Sequence, residues 1–173
     1  MNVNIIKANI KIIIDKYPYS KSINKRLMDD IDKMGYNDMS FYRKKDTAKF
    51  SLATMSDAAR SISDWVCKLI SIKYALDTSP LLSRCFFTRC DKGDFVSVHE
   101  HFPDCFSWVY YVNTPRGSSP LVFTSSNKKI KAEEGQVVIF PSLVKHHVPF
   151  NRCDARISLV GNVIIEDQWS ITS

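Results

Sequence analysis

The imidazole groups of this chain fall in two short clusters. Residues 97–104 read SVHEHFPD, which places His99 and His101 either side of Glu100. The other two histidines, His146 and His147, are adjacent at the end of the run FPSLVKHH. Neutral imidazole is a ligand for Fe, Zn, Cu and Ni. On a strand, residues i and i+2 share a face. His99 and His101 are therefore expected to point together, with Glu100 turned away. A third ligand must come from elsewhere, and His146 follows a strand-like run and a proline. Two ligands on one strand and a third on a later one is how a β-barrel mouth holds a metal. An isolated HxH pair carries little weight, because most such pairs bind nothing. Two clusters, each at a strand end, favour a metal site over a set of surface histidines.

The elements that must position these residues divide by texture near residue 84. Before it the pattern is mainly helical. Residues 21–34, KSINKRLMDDIDKM, place Ile23, Leu27 and Ile31 at spacing four and meet Gly35 as a stop. Residues 56–76 make the strongest helix. Ser56 is a candidate N-cap, and Ala59, Ile62, Val66, Leu69 and Ile70 form one apolar stripe. Residues 5–14, IIKANIKIII, are open between strand, from their isoleucines, and helix, from their length. After residue 84 come short β-rich runs: CFFTRC, DFVSVHEH, SWVYYV, PLVFTS, QVVIFP and RISLVGNVII. Turn-forming stretches such as DKGD, FPDC and TPRGSSP separate them. Short strands at regular spacing imply a β-sandwich or barrel. The expected architecture is one α+β domain over 1–173, with a helical part, 1–83, on a β core, 84–173.

Bulk properties set the class. The chain has 173 residues, 45% hydrophobic and 24% charged, which suits one globular unit with a sizeable core. No run approaches the roughly 18 consecutive apolar residues of a membrane helix. The N-terminus, MNVNIIKANIKIIID, is too broken by Lys and Asn for a secretory signal. The five cysteines show no CxxC spacing, and reduced thiols in a cytoplasmic setting are expected. Net charge is +6, but the basic residues are scattered. That pattern fits solvated faces better than a nucleic-acid patch, while leaving room for an acidic partner.

The order of the β-rich runs is specific. From Gly93 to Asn162 the pieces GDFVSVHEH, SWVYYVNTP, PLVF, EEGQVVIFPSLVKHHVPF and ARISLVGN resemble the 2-oxoglutarate/Fe(II)-dependent oxygenase superfamily. The resemblance is to its small, phage-type branch of prolyl-hydroxylase-like enzymes. It implies a double-stranded β-helix of two facing four-stranded sheets, a jelly-roll or cupin-like barrel. It also implies Fe(II), with 2-oxoglutarate and O2 as co-substrates, and hydroxylation of a C–H bond in a further substrate. His99 matches the first metal ligand and His146 the distal one, whereas His147 would point to the other side. Arg156, ten residues after His146, matches the arginine that grips the distal carboxylate of 2-oxoglutarate, a task suited to its planar fork. Ser158 shares its face and could add a hydroxyl. Tyr111, with Ser107 and Val109 on the same face, matches a tyrosine that hydrogen-bonds the co-substrate. The widespread superfamily pattern is HxD, and here the aspartate position holds His101. The implied set is His99, His101 and His146, with Asp104 as an outside alternative for a missing carboxylate. A three-histidine set lacks a negative ligand and leaves the site one charge more positive.

Two other readings compete. Gly93 to His101 and Gly135 to His146 follow cupin motifs in part, but Leu143 stands where a cupin has glycine, and the glutamate expected after HxH is missing. Tyr111, Arg156 and Ser158 have no cupin counterpart and favour the oxygenase. The second is a phage virion or assembly protein that keeps the barrel, with the apolar N-terminus as an assembly surface or homo-oligomer contact. A phage-encoded chain would sit in the host cytoplasm or in the particle. Trp65, Trp108 and Phe140 are expected to pack, Cys105 to be a buried thiol, and Glu133–Gly135 to form a solvated turn.

Overall fold

The computed structural model describes residues 9–34, 37–39, 44–46, 56–76 and 81–165. In chain order the elements are β1 (Ile13–Lys16), α1 (Ser20–Met34), β2 (Asn37–Met39), β3 (Lys44–Asp46) and α2 (Asp57–Tyr74). Then follow β4 (Leu81–Cys90), β5 (Val96–His99), β6 (Phe106–Asn113) and β7 (Leu121–Phe123). The last are β8 (Lys128–Ile130), β9 (Gln136–Pro141), β10 (His146–Val148) and β11 (Arg156–Ile165).

The strands form two antiparallel sheets. The larger has seven strands in the order β1-β9-β6-β11-β4-β3-β2, and the smaller has four, β5-β10-β7-β8. Four strands of the larger sheet, β9, β6, β11 and β4, face the smaller one as the resemblance implies. The N-terminal part adds the other three, which extend the expected barrel at both edges of this sheet. β1 pairs with β9 from Ile13↔Ile139 to Lys16↔Gln136, and β3 pairs with β4 at Lys45↔Arg89. Both additions pair backbone groups that an open sheet edge would leave exposed. The ambiguous run 5–14 thus resolves towards strand only at its end, where β9 offers an edge; residues 5–8 lie outside the described residues. Gly35 lies outside them too.

Three layers result, and β6 shows how one strand serves two of them. Trp108, Tyr110 and Val112 face the helices in one apolar cluster with Leu27, Ile31, Ile62, Val66 and Ile70. Val109 and Tyr111 face the other way, in a second cluster with Leu121 and Phe123 of β7 and Val148 of β10. Both faces of this strand are buried, so it reads as a continuous apolar run.

The helices form where their caps and stripes dictate. In α1, Ile23, Leu27 and Ile31 are all buried. Asn24 ties the helix to the sheet: its Nδ2 donates to the Val112 carbonyl at 2.8 Å and its Oδ1 accepts from the Tyr110 hydroxyl at 2.6 Å. In α2 the Ser56 hydroxyl accepts from the Ala59 N–H at 3.1 Å, closing the first turn. Ala75 ends the helix in the left-handed region, with φ 55°. The stripe Ala59, Ile62, Val66, Leu69 and Ile70 is buried against the sheet. Each large aliphatic side chain there contributes about 1.5–3 kcal/mol. Gly161 of β11 lets two strands approach closely: a Cβ there would lie 2.6 Å from the Trp108 ring and from the Arg84 carbonyl oxygen. Among the described residues no helix is long and apolar enough to cross a membrane.

Candidate metal centre

The two histidine clusters meet. β5 and β10 are neighbours in the smaller sheet, with His99 directly opposite His146. Ring centroids lie 4.3 Å apart for His99 and His146, 4.8 Å for His99 and His101, and 5.3 Å for His101 and His146. One ring nitrogen from each lies within 4.8 Å of the others. The route differs from the expected one in a single respect. β5 ends at His99, so His101 is not a strand residue. Its backbone N–H donates to the Ser142 carbonyl at 2.9 Å, which pins the turn beside β9 and β10. Glu100, also beyond the end of β5, is exposed to solvent.

Two of the three rings are oriented by backbone carbonyls two residues earlier in the chain. His99 Nδ1 lies 2.7 Å from the Ser97 carbonyl and His146 Nδ1 lies 2.9 Å from the Val144 carbonyl. A carbonyl only accepts, so in both rings Nδ1 carries the proton and Nε2 keeps a lone pair for a metal. His146 is 4% exposed. Burial, and next the nearby His99, push its imidazole down to about 3. It is therefore neutral at physiological pH, the form a metal needs.

Two of the remaining expected residues, Arg156 and Ser158, border the same cavity, which measures about 580 Å3 counting its open mouth. Arg156 and Ser158 of β11 line it together with His99, His101 and His146. Val96, Val109, Leu121, Phe140, Val148 and Val160 supply apolar walls. Arg156 is 2% exposed. Its Nε donates to the Ser119 carbonyl at 3.0 Å and its Nη1 to the Ser158 hydroxyl at 3.3 Å. Its Nη2 is buried with no hydrogen-bond partner, and so is the Tyr111 hydroxyl. The Tyr111 ring centroid lies 5.3 Å from the guanidinium carbon. Burial raises the phenol above its ordinary value, and the neighbouring Arg156, by its charge and by its hydrogen-bonding closeness to the hydroxyl, offsets this only in part. Unpaired buried donors are costly, and the Arg156 group borders the cavity, where it fits an acceptor such as a carboxylate.

Other residues separate from the centre. Asp104 accepts from Arg84 Nη2 at 2.9 Å instead of joining the histidines. His147 lies near Thr124, just past the end of β7, with its Nδ1 3.5 Å from that hydroxyl. Trp108 and Phe140 are buried in the two apolar clusters, and Trp65 packs against the first. Asn162, Ser107 and Thr88 line the cavity as well. Of these, Asn162 could have been found in the sequence, because period two from Arg156 runs through Ser158 and Val160 to it.

No family model matches the sequence. No curated protein matches it either. Solved structures do match, over most of the chain. A prolyl-4-hydroxylase from Pseudomonas putida superposes with a TM-score of 0.70 at 18% identity, covering 91% of this chain and 94% of that one. A viral collagen prolyl hydroxylase from Paramecium bursaria Chlorella virus-1, in complex with 2-oxoglutarate, gives 0.71 at 13% identity, covering 88% and 94%. An oxidoreductase of the 2OG-Fe(II) oxygenase family from Burkholderia pseudomallei gives 0.68 at 13% identity, covering 88% and 84%. A phage origin or a virion role finds no support in these matches. The chain has the double-stranded β-helix fold of the 2-oxoglutarate/Fe(II) oxygenases, in the form carried by the prolyl hydroxylases.

Proposed function

We propose that this chain is a 2-oxoglutarate- and Fe(II)-dependent oxygenase that hydroxylates a C–H bond of its substrate. The observation that carries the reading is the shared cavity. Three histidine nitrogens and a buried arginine with one unpaired N–H group line the same space. The donor set fits: three imidazoles suit a first-row transition metal and leave further positions open. The solved fold-mates, one of them holding 2-oxoglutarate, point the same way.

His99, His101 and His146 would hold the iron. Arg156 would bind the distal carboxylate of 2-oxoglutarate, offering Nη2 as a charge-assisted donor. Ser158, already bonded to Nη1, holds the guanidinium in place and can add its own hydroxyl. The Tyr111 hydroxyl would donate to the same co-substrate. When bound, iron and 2-oxoglutarate activate O2, and substrate C–H, 2-oxoglutarate and O2 become C–OH, succinate and CO2. The protein supplies position and exclusion of water. The apolar walls formed by Val109, Leu121, Phe140 and Val160 serve the second task.

The test is an anaerobic titration with Fe(II) and then 2-oxoglutarate, followed by the weak visible charge-transfer band of the chelate. The band should form in the wild type, vanish in His99→Ala and weaken in Arg156→Ala. Iron binding without the band would convert the reading to a metal-binding protein of cupin type. No metal binding would leave the barrel as a scaffold, and the assembly reading would take its place.

A further inference from the structure

The third ligand, His101, is oriented differently from the other two, and the difference points to a residue outside the ligand set. His101 Nδ1 lies 3.5 Å from Nδ2 of Asn162 on β11, at the long end of hydrogen-bond range. With Nδ1 turned to Asn162, the nitrogen left for a metal is Nε2. Asn162 is itself held from behind. Its Oδ1 accepts from the Ser107 hydroxyl at 2.8 Å. The Ser107 oxygen is in turn 2.8 Å from the Ser142 hydroxyl. Ser107 and Ser142 are 2% and 0% exposed, so the chain is sealed from solvent at that end. The Ser142 carbonyl also receives the His101 N–H, which closes a ring of contacts around the turn.

The direction of this chain is linked to the tautomer of His101. As found, Ser142 donates to Ser107, Ser107 to Asn162, and the Asn162 amide N–H to His101 Nδ1. That leaves the ring proton on Nε2, where a metal must bind. Turning the Asn162 amide over reverses every link. His101 Nδ1–H then donates to Oδ1, the amide N–H to Ser107, and Ser107 to Ser142. No hydrogen bond is lost, because a hydroxyl can donate or accept. Only in this second direction does His101 match His99 and His146, with the proton on Nδ1.

We infer that Asn162, backed by Ser107 and Ser142, is the positioning residue for His101, and that its amide orientation sets the affinity of the site for metal. The inference rests on the metal-centre reading above but not on 2-oxoglutarate or turnover. His99 and His146 need no such device, since backbone carbonyls already hold their protons on Nδ1. Residues that orient metal-binding imidazoles typically contribute 10- to 100-fold in affinity.

The substitution that discriminates is Asn162→Asp. A carboxylate can only accept, so it holds His101 in the Nδ1–H form and keeps the Ser107 bond. Ni(II) affinity of the full chain, measured by calorimetry, should rise in Asn162→Asp above the wild type. It should fall by about 10- to 100-fold in Asn162→Ala. A residue with a merely structural role would weaken binding in both. Nitrogen-15 NMR of the metal-free protein, at a pH where the imidazoles are neutral, reads the tautomers directly. His99 and His146 should carry the proton on Nδ1 throughout, and His101 should move from Nε2–H in the wild type to Nδ1–H in Asn162→Asp. The inference is overturned if His101 is already Nδ1–H in both, or if Asn162→Ala binds Ni(II) as tightly as the wild type. Wild-type Ni(II) binding without an iron–2-oxoglutarate band would defeat the oxygenase reading while leaving this one intact.

Discussion

His99 and His146 stand directly opposite each other across the β5–β10 pairing, with ring centroids 4.3 Å apart. They come from sequence positions far apart, yet the sheet register alone sets their separation. Both have Nδ1 at a backbone carbonyl two residues earlier in the chain, Ser97 for one and Val144 for the other. The pair is thus oriented before any ligand arrives.

Replacing either member should therefore remove metal binding without unfolding the barrel. His99→Ala is expected to abolish Fe(II) and Ni(II) binding in a calorimetric titration, with secondary structure unchanged by circular dichroism. A variant that still bound Ni(II) as the wild type does would show that the metal sits elsewhere.

Arg156 separates co-substrate from metal. Arg156→Lys keeps the charge but loses the fork that holds Ser119 and Ser158 while presenting Nη2. In the presence of Ni(II), 2-oxoglutarate at 100 times its Kd should stabilise the wild type by about 2.7 kcal/mol. That increment should vanish in Arg156→Lys while Ni(II) affinity persists. An equal thermal shift in both proteins would remove Arg156 from the co-substrate site.

Tyr111→Phe should move stability and binding in opposite directions. Its hydroxyl is buried and unpaired, so deleting it relieves a desolvation cost of about 1–3 kcal/mol in the ligand-free protein. Urea unfolding should show a gain of that sign, while 2-oxoglutarate binds less tightly. Loss of stability in Tyr111→Phe would mean that the hydroxyl is satisfied in solution.

His146 predicts a pH dependence for the metal-free protein. Its folded value is about 3 against an ordinary 6.5. Between these values the unfolded chain binds the extra proton, so stability falls as pH drops below 6.5 and levels off near 3. The slope from this one group is at most about 1.4 kcal/mol per pH unit. Unfolding free energies of the wild type and His146→Asn, compared from pH 7.5 to 4.5, should converge as the pH falls. Parallel curves would show that His146 is not held neutral.

Gly161→Ala tests the packing that carries β11 past β6. The added Cβ would meet both the Trp108 ring and the Arg84 backbone at 2.6 Å. Forcing it in should cost about 1–3 kcal/mol, read as a lower denaturation midpoint. A neutral result would mean that Trp108 shifts freely.

Much of this protein is local physics, and that part is legible in the sequence. Ile23, Leu27 and Ile31 define a helix face by spacing alone, and Ser56 opens α2 through its own hydroxyl. Ser107, Val109 and Tyr111 share one face of β6 because side chains alternate along a strand. The order of the β-rich runs, with the histidines at their ends, is enough to bring His99 and His146 to one barrel mouth. Other features depend on pairings between distant segments, which no local pattern encodes. β1 becomes a strand because β9 has an open edge. Asp104 turns to Arg84, on a strand that the sequence alone does not place beside it. His101 lies beyond the end of β5, where its direction is set by Ser142 and Asn162 and not by strand alternation. Composition and spacing determine which groups can act as ligands. Their protons and orientations belong to hydrogen-bond partners that meet only when the two sheets close.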